Sequence, residues 1–445
     1  MKNPFDHFEK IVCICGQHEP ERWEQVQKEF ERIGILDRIE RFDEVIDSDW
    51  LEETYGYNPE WSKTDYCHYK IIRDAHESGL KNIFIFESDI VLLGGKLERQ
   101  LESMKKSIDA LSDIDWKLFY MGGVPHNVYG VINENLVNVS MCQAHAYAIN
   151  GKYCKEVSDA IINNKIAIDQ VYHRGKRYGL SRGSYASNPR FFRQDLGEDE
   201  ENPQRRRMSA KMWDKLVEPA MEMYKKNIEF VVAESSADGK QHRVILSNFK
   251  YSLDNVGIPA SGGLVKTYTM EFSTEYEKLE LIHGILKSGK ICLYSDADVT
   301  FLKNPLDKLY SYIEQYDLII QSNAEVMEEL SYYKTVVNPG FCMVRPTELT
   351  LKLFDTSESC EFLYEDCRPD MAYINSKLNS SDIYHNNLKM KILDEDEFCV
   401  SLGLEDRLDT LDPYMIHFCE HKNRIFHPKN KIARMRSYDC YFVPD

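Results

Sequence analysis
No run of apolar residues in this chain comes near the ~20 that a membrane-spanning helix needs. Residues 1–10 also lack the apolar stretch of a secretory leader, so none is expected. The twelve cysteines include no CxxC pair and no framework-like spacing. Several, Cys292 and Cys342 among them, sit inside apolar runs and read as small buried hydrophobes of a reducing compartment. Excess positive charge is missing too. A formal net charge of −18 argues against non-specific binding to nucleic acid. Glycine-rich phosphate loops are absent: Ser261-Gly262-Gly263 lacks the spacing of a dinucleotide or P-loop fingerprint.

What is present is a globular composition, 43% hydrophobic and 29% charged, on 445 residues. That length exceeds one ordinary core, and two domains are expected. Residues 196–222 open with an acidic run, a proline and three arginines, without periodicity. They read as an exposed linker between a domain at 1–195 and another at 223–445.

One phrase occurs in both halves. Residues 276–286 repeat apolar positions at helical spacing, Gly289 punctuates, and Ile291-Cys292-Leu293-Tyr294 reads as a buried strand running into Asp296-Ala297-Asp298. Residues 65–78 are likewise helical and are closed by Gly79. Residues 81–86 form an apolar strand that runs into Glu87-Ser88-Asp89. Carboxylates one residue apart past a strand end can point into the crevice where open α/β sheets bind ligands. Hard divalent cations take such oxygens and bridge them to phosphates. The plain alternative is a capping or turn pair on a solvated loop.

Other expectations follow in chain order. Residues 10–16 are an opening strand, 22–33 a helix and 39–42 a second strand. Residues 229–233 and 242–247 are read as the first strands of the second half, with Ala233, Glu234 or Asn248 near a bound base. Residues 316–322 and 336–345 are further strands, and 412–418 is a strand ending near His417. Asp370 opens a helix that it can equally well cap. His145 lies among apolar residues, where a satisfied core histidine is the commoner outcome. Asp169 can pair with Arg174 or Lys176.

Residues 291–305 resemble the signature of the nucleotide-diphospho-sugar transferase type of glycosyltransferase, near family 77. The resemblance implies that Asp296 and Asp298 hold Mn²⁺ or Mg²⁺, with His417 as third ligand. It places Asn338 and Gly340 of an Asn-x-Gly-Phe segment against the donor, and Lys422 at its diphosphate. It implies that Asp370 stabilises the sugar in a retaining transfer, although Met371 stands where that family usually has Gln. The first half resembles glycosyltransferase family 25 in the order of its opening strand, Cys67-His68, the acid triplet, residues 116–123, residues 144–149 and Asp169-Gln170. That resemblance implies a second metal site at Glu87 and Asp89, and Asp169 as base of an inverting transfer. Ser88 departs from the family's Glu-Asp-Asp and removes one carboxylate.

The expected architecture is therefore α/β, two GT-A-type domains, each a mainly parallel sheet flanked by helices. The expected activity is bifunctional transfer of hexosyl or pentosyl groups from nucleotide sugars, most simply UDP-linked, to a glycan or glycoprotein hydroxyl. A cytoplasmic setting, in a bacterium or a virus-infected host cell, suits a chain without an anchor. Two alternatives stay open. One is a single active second domain with an acceptor-binding first domain. The other is a sugar nucleotidyltransferase, for which Cys15-Gly16-Gln17-His18 supplies no glycine-rich basic loop after the first strand.

Overall fold
The computed structural model describes every residue except 1–2, 44–62, 165–167, 174–179, 181, 195–202, 236–239, 261–262, 271–275, 323–335, 358–368, 381, 401–409, 419–427, 439 and 444–445. The chain divides into two compact units, Met1–Met221 and Glu222–Asp445.

In the first unit the strands are β1 (Lys10–Ile14), β2 (Ile39–Phe42), β3 (Asn82–Glu87), β4 (Ile90–Leu92), β5 (Leu118–Asn133), β6 (Leu136–Asn150), β7 (Ser184–Ser187) and β8 (Phe192–Gln194). They form one sheet in the order β2-β1-β3-β6-β7-β5-β8-β4. The opening strands β2, β1 and β3 are parallel, and β6 runs antiparallel to β3. Every residue of β3 up to Phe86 is buried, as a strand covered on both faces requires. Phe84 and Phe86 meet Phe5, Phe8, Phe30 and Phe192 in an aromatic core; the rings of Phe5 and Phe84 lie edge-on at 5.2 Å.

The second unit holds β9 (Ile228–Ser235), β10 (Lys266–Met270), β11 (Ile291–Asp296), β12 (Val299–Phe301), β13 (Leu318–Ser322), β14 (Val337–Val344), β15 (Met390–Leu393), β16 (Phe398–Val400) and β17 (Met415–His417). The main sheet runs β10-β9-β11-β14-β13-β15, and β12-β17-β16 form a small second sheet. Here too the opening strands β10, β9 and β11 are parallel and the next, β14, is antiparallel to β11. Both sheets are mixed beyond this shared four-strand frame. In each unit a glycine in the left-handed region, Gly79 (φ 67°) or Gly289 (φ 79°), stops the helix that leads into the acid-bearing strand.

Two expectations are corrected. Residues 242–247 are not a strand; they lie in the helix Lys240–Asn255. Ile245, Leu246, Phe249 and Leu253 are buried along it, and this helical spacing shows only when the reading continues past Ser247. Asn248 of this helix is a buried tether, not a base contact. Its amide nitrogen donates to Thr300 Oγ1 (3.1 Å) and to the Cys440 carbonyl (3.0 Å), and its oxygen accepts from the Phe442 amide (2.6 Å). Within the stretch 196–222, residues 203–222 are helical. They belong to the helix Pro203–Lys225, whose Trp213, Val217 and Met221 are buried.

The described cysteines are all free, and all are buried except Cys142. Among the described residues no helix is long and apolar enough to cross a membrane.

Candidate metal centre
Strand β11 carries Asp296 to its end, and a turn brings Asp298 in front of β12. Strand β12 pairs antiparallel with β17, with Val299 opposite His417. This pairing brings the histidine to the acids. Ligand atoms of Asp296, Asp298 and His417 all lie within 4.8 Å of one another, and among the described residues this is the group of three or more that could hold a metal ion.

A second shell sets the state of His417. Gln321, on β13, donates its amide hydrogens to the carbonyls of Phe398 and Cys399, both at 3.1 Å. Its oxygen is thereby turned to His417 Nδ1 at 2.8 Å. Nδ1 then carries the proton and Nε2 presents its lone pair. That lone pair faces Asp298 Oδ1 at 3.2 Å and Asp296 Oδ2 at 3.7 Å. Asp298 Oδ1 and His417 Nε2 are buried and have no hydrogen-bond partner. Buried acceptors without a donor are costly. Two carboxylate oxygens and one imidazole nitrogen suit a divalent cation such as Mn²⁺, so the residues fit the group.

Cationic side chains offset part of the negative charge. Lys278, from the helix Glu277–Lys287, joins Asp296 (3.1 Å) to Asp370 (2.6 Å). Asp296 also accepts from the Tyr294 hydroxyl at 2.7 Å. Lys431, from the helix Pro428–Ser437, pairs with Asp298 Oδ2. Burial pushes the Asp298 carboxyl up, but the opposing charge, that of the Lys431 ammonium first, outweighs it and holds the group well below the usual carboxylate range. Three carboxylates and two ammonium groups leave the cluster net negative.

Gly340 makes the room. A Cβ built on it would press against the His417 ring and lie 2.7 Å from Asp296 Oδ2 and 3.0 Å from Asn338 Oδ1. Asn338 holds that backbone in place by accepting from the Gly340 amide at 2.8 Å. The register between β13 and β14 shifts beside it, at Ile320/Gln321, as bulges next to sites do. Asn375 clamps the Asp370 helix to β14, accepting from the Val337 amide and donating to its carbonyl, both at 2.8 Å. Asp296, Asp298, His417, Gly340 and Asp370 thus meet in one place, with Asn338 beside them. Lys422 lies outside the described residues. Lys278, Lys431 and Gln321 are not singled out by the sequence: no local pattern marks them, and each meets its partner (Asp296, Asp298 and His417 in turn) only in the fold.

In the first unit Glu87 is held by His68 Nε2 at 3.1 Å, and His68 Nδ1 meets the Tyr147 hydroxyl at 2.8 Å. Burial raises the Glu87 carboxyl, but His68 more than compensates and the net shift is downward. Asp89 is pushed up to about 7, first by burial and then by the charge of Glu87. Glu87 and Asp89 gather no third ligand among the described residues. Asp169 is second in the helix Ile168–His173, and its charge helps raise the buried hydroxyls of Tyr120, Tyr147 and Tyr172, for which burial is the first cause.

Asp89→Asn should raise the melting temperature at pH 8, by roughly 1–3 kcal/mol of stability, because it removes a desolvated charge. The folded-state carboxyl titrates near 7, against an ordinary value of 3.8. The penalty is therefore full above 7, shrinks as pH falls through that range and vanishes below 3.8. Melting curves of both proteins at pH 8 and pH 5 check this; an equal gain at both contradicts it.

Residues 266–435 match the family model of the nucleotide-diphospho-sugar transferases. No curated protein matches the chain in sequence. Solved structures similar to it include a glycosyltransferase involved in glycosylation of the major capsid of PBCV-1, at 12% identity and TM-score 0.30, over 47% of this chain and 99% of that one. The galactosyltransferase LgtC with donor and acceptor sugar analogs gives 12% identity and TM-score 0.30, over 49% and 98%. The bifunctional glycosyltransferase WbbM gives 8% identity and TM-score 0.32, over 96% and 97%. The family match lies within the second unit, and the structural likenesses add no argument to it. The matched stretch contains Lys278, Asp296, Asp298, Gln321, Asn338, Gly340, Asp370, His417 and Lys431. The architecture is mixed α/β, and the stretch of it that matches the nucleotide-diphospho-sugar transferase model holds the whole candidate metal cluster.

Proposed function
We propose that the second unit moves a glycosyl group from a nucleotide sugar, most simply UDP-linked, to a hydroxyl of a glycan or glycoconjugate, with Mn²⁺ or Mg²⁺ held by Asp296, Asp298 and His417. The observation that carries this reading is the trio of ligand atoms at one point, with the Gln321 amide oxygen accepting from His417 Nδ1. When bound, the cation clamps the donor diphosphate and stabilises charge on the leaving oxygen. The bond from the anomeric carbon to the phosphate oxygen breaks, a bond to the acceptor oxygen forms, and the acceptor proton is released. Asp370, held by Lys278, lies where it can stabilise positive charge developing on the sugar. Gly340 keeps the space beside Asp296 open.

The test is a screen of UDP- and GDP-sugars for hydrolysis. We expect one donor to be turned over with Mn²⁺ present and at least about a hundredfold less in excess chelator. The expected product is the nucleoside diphosphate; release of pyrophosphate would show a nucleotidyltransferase instead. Turnover indifferent to chelator rejects the metal.

A second reading, a bifunctional chain, is favoured by the four-strand frame and acid phrase that both units share, and by the resemblance of the first half to glycosyltransferase family 25. It assigns acceptor deprotonation to Asp169. It requires Asp89→Asn to remove transfer of one sugar from the donor panel while sparing another.

A further inference from the structure
We propose that the side-chain cluster of Glu87, Asp89, His145 and Gln194 in the first unit binds an uncharged saccharide without a divalent cation. The inference comes from laying one frame on the other by strand register. In the second unit the last paired residues of β11 and β14 before the acids are Ser295 and Phe341, so Asp296 and Gly340 are the next cross-strand neighbours. In the first unit Phe86 and Ala146 pair in the same way between β3 and β6, so Glu87 and His145 are next. The position that Gly340 leaves empty for a cation is thus filled by the His145 ring. The third ligand is replaced as well. Val299 pairs with His417 between β12 and β17, and Ile90 pairs with Gln194 between β4 and β8. Gln194 therefore stands where the second unit has its metal-ligating imidazole, and its side chain hydrogen-bonds Asp89.

These two replacements remove the metal site and leave a cluster of polar side chains in its place. His145 is 1% exposed, and its ring nitrogens have no side-chain hydrogen-bond partner, with the Phe192 backbone beside the ring. Its ring lies over Gly122, where an added Cβ would be 2.8 Å from Nε2. Burial pushes its titration down to about 4, so the ring is neutral. Asp89 Oδ1 is also buried without a partner. The cluster therefore holds a carboxylate paired with His68, a second carboxyl, a carboxamide and a neutral imidazole. A diphosphate brought there without a cation would meet carboxylate charge at close range. Neighbouring sugar hydroxyls donate to carboxylates and both donate to and accept from amide and imidazole. The chemistry fits a neutral polyhydroxylated ring.

The experiment is saturation-transfer difference NMR on the full chain in excess EDTA. The probes are the methyl α- and β-glycosides of glucose, galactose and mannose. At least one should give signals that persist in the Asp298→Asn variant, resist competition by UDP, and fall about tenfold or more in Glu87→Gln. Glu87→Gln should keep the Mn²⁺-dependent donor hydrolysis of the second unit, which shows that the chain is folded. In Mn²⁺ titrations wild type should bind one equivalent per chain, and Glu87→Gln the same. A second Mn²⁺ equivalent that Glu87→Gln removes, displacement of the saccharide by UDP, signals unchanged by Glu87→Gln, or no signal from any probe would each overturn the proposal. Failure of donor hydrolysis in wild type would overturn the reading of the second unit and leave the EDTA arm intact, so the two fail separately.

Discussion

Asp298→Asn should lower donor turnover by at least about a thousandfold. The substitution removes one ligand oxygen of the trio and the charge that the other two acceptors share with it. It has a second consequence that must be separated from the first. Lys431 is 4% exposed and pairs with Asp298 Oδ2. Without the carboxylate its ammonium is buried beside an amide, and removing one partner of a buried pair costs about 3–5 kcal/mol. The single variant is therefore expected to melt earlier as well as to lose activity. The double variant Asp298→Asn/Lys431→Met removes both charges and should recover most of the lost stability while staying inactive. Recovery of activity together with stability would show that Asp298 serves folding and not transfer.

Gly340→Ala should lower turnover by about a hundredfold and weaken the apparent affinity for Mn²⁺ by tenfold or more. The reason is space, since Gly340 is not among the glycines with positive φ. Its added methyl would lie 2.7 Å from Asp296 Oδ2 and against His417. Contacts that short force a ligand to move. His417 is tied by Gln321 at 2.8 Å and Asp296 by Tyr294 at 2.7 Å, so neither moves without losing a hydrogen bond. Overpacking of this kind costs about 1–3 kcal/mol of stability. Titrating turnover against Mn²⁺ reads the effect directly. A wild-type metal dependence in the variant would mean that the cation sits elsewhere.

The parts of the site that a linear reading could find are those written into contiguous strand ends. Asp296 and Asp298 follow an apolar run bounded by a glycine turn, and His417 closes another apolar run. Asn338 and Gly340 share one segment, so finding one finds the other. Lys278, Lys431 and Gln321 have no such signature. Lysine on a helix is ordinary, and only the fold shows that one bridges two acids and another is buried against a third. Gln321 reads as the polar end of a strand until its amide is seen to fix an imidazole tautomer. The helix Lys240–Asn255 was misread because Val244, Ile245 and Leu246 are adjacent apolar residues, and a window of six cannot separate a short strand from one turn of a buried helix. The first unit was legible as a frame but not as a site. The triplet Glu87-Ser88-Asp89 draws attention to its missing carboxylate. The replacements that matter, His145 and Gln194, are visible only in strand register.

The pairing of β12 with β17 also bears on how a ribosome delivers this protein. The main sheet of the second unit is complete once Leu393 has emerged, because β15 is its last strand. The cation cluster is not. His417 comes later still, and Lys431 joins Asp298 across 133 residues of chain. Until then β12 is a short strand with a bare edge, and Asp298 has neither its imidazole neighbour nor its counter-charge. A nascent or prematurely terminated chain can therefore hold a folded first unit and most of the second sheet while having no place for a metal. Mn²⁺ bound at this cluster would report translation carried at least past His417 and Lys431, which binding at the first unit cannot do.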